Sequence, residues 1–144
     1  LVLAGAPRKP ARISFVDGQA RHVMLQARAA AVASGTATLE ACLMRCPTVL
    51  VYTASLATYL VARAVVKGVR HLGLANILAG REVMPELLQH GFTPARLAEQ
   101  LYRYLTDERA RGQTLADLDA TNALLGPGDA SGRAAEAVAQ MLSR

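Results

Sequence analysis

Residues 34–40 read Ser-Gly-Thr-Ala-Thr-Leu-Glu and lie where a short apolar run gives way to a helical pattern. The run before them, residues 29–33, is uncharged and suits a fully buried parallel strand, although its periodicity alone does not separate a strand from a buried helical segment. After them, apolar side chains recur at helical spacing at Leu39, Cys42 and Leu43. The stretch therefore predicts a strand-to-helix turn, and with it a fold in which strands and helices alternate.

Such a turn is suited to binding a phosphate or a diphosphate. Ser34 or Thr36 can cap the new helix, and Gly35 lets the backbone turn closely because it has no side chain. Free N–H groups and the positive end of the helix dipole then face outward and favour an anion. Glu40 lies one turn further in, where it suits accepting hydrogen bonds from sugar hydroxyls. The competing interpretation is a capping box whose glutamate only completes the helix start, and the heptapeptide alone leaves both interpretations open.

The composition is that of a well-packed domain. With 144 residues the chain is long enough for one domain with a substantial core. Hydrophobic residues make up 52% and charged residues 19%, which excludes a disordered chain. The net charge of +5 suits an acidic ligand or an anionic membrane surface. Because the charge is dispersed and the aromatics are only four Tyr and two Phe, nucleic-acid binding is not predicted.

Hydrophobic runs and cysteines do not change this class. The longest uncharged run, residues 46–62, is interrupted by Pro47 and by the polar residues around Thr53, so it is not predicted to span a membrane. The opening apolar stretch is too short for a signal peptide. Cys42 and Cys46 have no second pair or histidine cluster near them, which favours reduced structural thiols over a metal or redox site.

Strand and helix patterns alternate along the chain before the pattern becomes wholly helical. Predicted strands cover residues 1–5, 12–16, 29–33, 48–52 and 71–74, and predicted helices cover 19–28, 36–45, 56–66 and a segment beginning at Pro85. From Thr93-Pro94 the pattern is helical, and the last helix is predicted over residues 130–142. The sequence thus predicts a single α/β domain over 1–144, a Rossmann-like parallel sheet with helices on both faces, with 94–144 as a helical tail.

Residues 75–82, Ala-Asn-Ile-Leu-Ala-Gly-Arg-Glu, form a second candidate binding stretch. They follow the predicted strand 71–74, so we expect them beside the 34–36 turn, at the sheet edge where open α/β folds bind ligands. Asn76 and Arg81 are side chains that can read a base edge or clamp a phosphate. The sequence leaves two alternatives open, a turn residue at Asn76 and a solvated surface pair at Arg81-Glu82.

Together these motifs resemble the lipid-A-disaccharide synthase family. The resemblance is carried by residues 34–40, by Pro47, by the Val-Tyr pair at 51 and 52, and by the stretches 76–83 and 85–89. It implies the carboxyl-terminal half of a GT-B glycosyltransferase, in which two Rossmann-like domains face each other across a cleft. The family transfers an acylated glucosamine from UDP to an acylated glucosamine 1-phosphate, with inversion, to form the β-1,6 disaccharide of lipid A. The resemblance implies that no metal or other cofactor is needed.

The resemblance implies a UDP-sugar site on this half, with no catalytic residue and no metal ligand in it. The turn at 34–36 would lie at the diphosphate, Glu40 would hold the ribose hydroxyls, and Asn76 with residues 80–82 would shape the rest of the site. The implied UDP-sugar-binding residues are Ser34, Gly35, Thr36, Thr38, Glu40, Asn76, Gly80, Arg81, Glu82, Glu86 and Gln89. Thr53 stands where the family usually has Arg, and Ala75 where it usually has Pro, so Arg63 or Arg70 would have to replace the missing cation.

Partners and location also follow from the resemblance. The substrates would be UDP-diacylglucosamine and acylated glucosamine 1-phosphate, at the cytoplasmic surface of the inner membrane of a Gram-negative-type bacterium. The amino-terminal GT-B domain of the family has no counterpart in these residues, so we expect the isolated chain to bind without catalysing. We also expect it to self-associate through an exposed strand edge. The alternative is a non-catalytic module that binds a UDP-sugar or a partner and has lost the reaction.

Overall fold

The computed structural model describes residues 12–33, 35–54, 71–126, 128 and 130–142. The helices in these ranges are α1 (Ala20–Gln26), α2 (Thr36–Leu43), α3 (Leu74–Ala79), α4 (Pro94–Thr106), α5 (Glu108–Ala123) and α6 (Ala130–Leu142). The strands are β1 (Ala30–Ala33), β2 (Thr48–Tyr52) and β3 (Glu86–Leu88), and a short 3-10 helix covers Gln89–Gly91. The predicted strand 1–5 and the predicted helix 56–66 lie outside the described residues.

The three strands form one parallel sheet in the order β1-β2-β3. Val32 of β1 pairs with Leu50 of β2, and Leu50 in turn pairs with Glu86 of β3. β2 is the central strand, and its first three residues are buried, as expected for a strand covered on both faces. In β1 only Val32 is buried, so the prediction of a fully buried strand is wrong for that segment.

Two apolar clusters show that helices cover both faces of the sheet. On one face, α2, α3 and α5 close a core that contains Ala41, Cys42, Cys46, Ala75, Val83, Met84 and Leu118. On the other face, α4 brings Tyr104 against Val49 and Leu87, with Leu97 and Leu101 packed around them. The predicted fold class is therefore confirmed: a parallel α/β sheet with helices on both faces, followed by helices.

Side-chain caps mark the starts of α4 and α5, and the first of these was predicted from the sequence. Thr93 caps α4, because its side-chain oxygen accepts a hydrogen bond from the N–H of Arg96 at 3.3 Å, and Pro94 occupies the first turn. Asp107 caps α5 in the same way, accepting from the N–H of Ala110 at 2.9 Å. The prediction of a helix beginning at Thr93-Pro94 is therefore confirmed, whereas the cap at Asp107 was not predicted.

Three predicted elements are wrong. Residues 12–16 form no strand, and Phe15 in this segment is 99% exposed. Residues 71–73 are irregular, and Leu74 begins α3 instead of ending a strand. Residues 86–88 form β3 rather than a helix, because pairing with Leu50, Val51 and Tyr52 and burial of Leu87 override the local pattern. Because residues 71–74 are not a strand, the stretch 75–82 does not follow the carboxyl end of a strand, as had been predicted.

Candidate functional site

The carboxyl ends of the three strands lie at the same edge of the sheet, because all the strands run parallel. Gly35 and Thr36 follow β1, Thr53 and Ala54 follow β2, and Gln89 follows β3. Ser34, which belongs to the predicted turn, lies outside the described residues. This edge is where ligands bind in open α/β sheets, and it is the candidate site.

Gly35 makes the turn from β1 into α2. Its backbone has φ +139° and ψ −160°, a region that only glycine adopts without strain. A Cβ added to Gly35 would have no atom of the described residues within 4 Å, apart from its chain neighbours. Thr36, the first residue of α2, is also exposed, and the first turn carries no acidic side chain. The N–H of Thr38 is used within the turn, where it donates to the Gly35 carbonyl at 3.2 Å. The start of α2 is exposed at Gly35 and Thr36, and a helix start of this kind favours an anion.

Thr38 lies inside the protein rather than on the ligand side. It is fully buried, and its hydroxyl donates to the carbonyl of Gly35 at 2.8 Å. The same oxygen accepts a hydrogen bond from the N–H of Leu74 at 3.1 Å. The hydroxyl thus joins the start of α3 to the start of α2.

Glu40 forms an ion pair that the sequence did not reveal. Its Oε1 lies 2.9 Å from Nη2 of Arg21, which reaches across from α1. The hydrogen bond to Glu40 raises the pKa of the Arg21 guanidinium. Glu40 is therefore held at the surface of α2, one helical turn beyond the Gly35 turn. The two residues are 19 positions apart in the sequence, and no pattern in either segment indicates that they pair.

Asn76 is buried, and its amide group is fully hydrogen-bonded within the protein. Its oxygen accepts from the N–H groups of Val83 and Met84 at 2.8 and 2.9 Å. Its nitrogen donates to the carbonyl of Met84 at 2.7 Å and to Glu86 Oε1 at 2.8 Å. Two acceptor and two donor positions are all that an amide offers, so in this structure Asn76 shapes the loop and presents no free polar atom to a ligand.

Residues 80–82 do not lie beside the Gly35 turn as expected. They follow α3 and precede residues 83–85, which lead into β3. This order places them towards the amino edge of the sheet. Gly80 ends α3 in the left-handed conformation, with φ +67°. Arg81 pairs with Asp117 of α5 at 2.9 Å, and Glu82 is exposed. Arg81 thus forms a surface ion pair, as in the alternative interpretation of the sequence, but its partner is Asp117 and not Glu82.

Glu86 and Gln89 lie at the two ends of β3. The Glu86 carboxylate accepts hydrogen bonds from the N–H groups of Leu72 and Gly73. Gln89 has φ +50°, an uncommon conformation for a residue with a side chain. Its side-chain amide is oriented so that the nitrogen faces Ala54 O at 3.1 Å and the oxygen faces Ala54 N at 3.2 Å. Gln89 therefore ties together the loops that follow β2 and β3 at the candidate site.

Within the described ranges, no group of three His, Cys, Asp or Glu side chains is arranged to hold a metal ion. No helix in the part of the chain that the structure describes is long and apolar enough to cross a membrane. Cys42 and Cys46 are free and buried, and burial raises the pKa of the Cys42 thiol to about 11.

Comparison with known proteins gives one family. The family model of Lipid-A-disaccharide synthetase matches residues 7–139. The chain is 44% identical over 133 residues to the lipid-A-disaccharide synthase of Anaeromyxobacter dehalogenans (strain 2CP-C), which covers 92% of this chain and 34% of the relative. It is 46% identical over 128 residues to that of Myxococcus xanthus (strain DK1622), covering 89% of this chain and 33% of the relative. The chain thus spans about a third of the length of the curated relatives that it matches.

Proposed function

Because this chain belongs to the lipid-A-disaccharide synthetase family, we propose that it forms the part of such a glycosyltransferase that binds the UDP-linked donor sugar. The observation that carries the proposal is the Gly35 turn, where the backbone N–H groups at the exposed start of α2 lie at the carboxyl edge of the sheet. The diphosphate of UDP-diacylglucosamine would lie against these N–H groups. Glu40, one turn along the same helix, would accept hydrogen bonds from the ribose hydroxyls.

The chemistry assigned to this part is stabilisation of the leaving group. As the glycosidic bond to UDP breaks, negative charge develops on the diphosphate. N–H groups already oriented by the fold need no reorganisation to meet that charge, so they stabilise it more in the transition state than in the ground state. In this proposal they act without a metal ion.

The remainder of the reaction is assigned to the part of the relatives that this chain does not match. The matched part is about a third of each relative, so the acceptor, acylated glucosamine 1-phosphate, and the general base would be held by residues outside these 144. The chain alone is then expected to bind UDP without transferring sugar. Because both substrates are acylated, we place the enzyme in the cytoplasm, at the surface of the inner membrane.

Calorimetry with UDP and uridine tests the diphosphate site. UDP should bind the chain at least ~10-fold more tightly than uridine, because one charge-assisted hydrogen bond contributes about 1.5–3 kcal/mol. Gly35→Ala should reduce the affinity for UDP towards that for uridine, since an alanine disfavours the φ of +139°. Gly126→Ala is the matched control: Gly126 also has a positive φ and open space around it, but follows the end of α5.

Equal affinities of the unmodified chain for the two ligands would refute the diphosphate site. Loss of the UDP preference in both glycine variants would show that strain in general, and not the turn, is responsible. The chain could prefer UDP and still transfer no sugar when the rest of a relative is added in trans. That result would favour the non-catalytic module that binds a UDP-sugar.

Glu40→Gln tests the ribose contact. The substitution keeps the shape and one acceptor but removes the charge, so UDP and uridine should both bind about 1–2 kcal/mol more weakly. Glu108→Gln is the control, because Glu108 is also a helix glutamate paired with an arginine, Arg28. If Glu40→Gln changes stability and leaves both affinities as they are, the role of Glu40 is limited to its ion pair with Arg21.

A further inference from the structure

The side chain of Glu86 is largely covered, and N–H donors surround its carboxyl group. Its side chain is 5% exposed. The N–H of Leu72 lies 3.0 and 3.1 Å from its two oxygens, and the N–H of Gly73 lies 3.0 Å from Oε1. Oε1 also accepts from the amide of Asn76 at 2.8 Å. Among the described residues no Lys or Arg pairs with it, and the basic group within reach is His71, 3.9 Å away. These N–H donors therefore stabilise the buried charge.

A continuous set of hydrogen bonds leads from this carboxylate to the candidate site. Glu86 fixes the N–H groups of Leu72 and Gly73, and the next N–H, that of Leu74, donates to the hydroxyl of Thr38. Thr38 donates in turn to the carbonyl of Gly35, which also accepts from the N–H of Thr38 at 3.2 Å. Two donors thus fix the direction of the Gly35 carbonyl, and with it the direction of the N–H groups that follow.

We propose that Glu86 is a positioning residue for the nucleotide site: through residues 72–74 and Thr38 it holds the Gly35 turn in the orientation that receives the diphosphate. This inference rests on the proposed function and deepens it. It assigns Glu86 and Thr38 to the support of the site, although the sequence had suggested direct contact with the ligand. A carboxylate suits this position because both of its oxygens accept hydrogen bonds, whereas a glutamine amide has one acceptor oxygen and an NH2 group that cannot accept from the N–H of Leu72.

The test is the ratio of the affinities for UDP and uridine, measured in Glu86→Gln and Thr38→Val. Both variants should lower the ratio at least ~5-fold, because the turn loses its orientation while the uridine contacts remain. Thr38→Ser, which keeps the hydroxyl, should restore most of the ratio. Thr48→Val is the matched control: Thr48 is equally buried, and its hydroxyl donates to Cys46 O at 2.9 Å at the amino edge of the sheet.

The outcomes separate this inference from the proposed function. A ratio of one in the unmodified chain refutes the diphosphate site itself. A high ratio in the unmodified chain that persists in Thr38→Val and Glu86→Gln refutes the positioning role alone, even where both variants are less stable. If Glu86→Gln does not fold, Thr38→Val against Thr48→Val decides the question. An equal fall of the ratio in Thr48→Val would show a general effect of lost stability and would overturn the inference.

Discussion

Replacing Gly73 by alanine should destabilise the protein through packing alone. The Cβ of an alanine at this position would lie 2.8 Å from Leu50 Cδ1 and 3.4 Å from Glu86 Oε1. The backbone of Gly73 has φ −74° and ψ 128°, which alanine adopts without strain. Leu50 is fully buried in the central strand, so its side chain has no exposed space into which to move.

The expected loss is about 1–3 kcal/mol, the usual range for inserting a methyl group into a packed core. For a chain of this length that corresponds to a fall in Tm of roughly 3–10 °C. Urea unfolding followed by circular dichroism measures the loss. Gly112→Ala is the control: Gly112 lies within α5, a Cβ there meets nothing within 4 Å, and alanine should stabilise the helix by about 0.5–1 kcal/mol.

A double-mutant cycle identifies the cause. Leu50→Val removes the atom that the new methyl group meets, so Gly73→Ala should be less costly in that background than in the unmodified chain. Gly73→Ala with unchanged or greater stability would refute the close approach. Additive losses in the cycle would place the cost elsewhere, in the contact with Glu86.

Two further predictions concern titrating groups. The hydrogen bond from Arg81 lowers the pKa of Asp117 below its usual 3.8, so this carboxylate contributes stability above the unfolded pKa that is lost as the pH falls through the folded one. Thermal melts between about pH 6 and pH 3 should therefore show a smaller fall in Tm for Asp117→Asn than for the unmodified chain, and parallel curves would contradict the ion pair. Burial raises the pKa of Cys42 to about 11, so iodoacetamide should label the native thiol far more slowly than the urea-unfolded one, and equal rates would contradict its burial.

The sequence predicted best where one local signal dominates. The Gly35 turn, the strand at 48–52 and the cap at Thr93 each depend on residues within a few positions, and each is confirmed. The predictions failed where residues distant in the sequence determine the local structure. Residues 86–88 are equally compatible with a helix or a strand, and pairing with β2 makes them a strand.

At the candidate site, too, local features could be predicted and long-range contacts could not. The open turn at Gly35 could be predicted, but the burial of Thr38, Asn76 and Glu86 could not, because a polar side chain in a sequence gives no sign of which N–H groups will surround it. Gly73 did carry a signal: an isolated glycine in an apolar pattern often marks a close approach of the backbone to another element.

The far end of α2 has a consequence for how the protein is made. Asn122 donates to the carbonyl of Cys42 at 2.9 Å, and Asp119 binds Arg45 through two hydrogen bonds, although 80 and 74 residues separate the partners. During synthesis, α2, whose start lies at the candidate site, thus emerges long before the segment that fixes its other end. Contacts of such long range form late and slow folding. We therefore expect nascent chains arrested before Asp119 to leave α2 sensitive to protease, and chains extended past Asn122 to protect it.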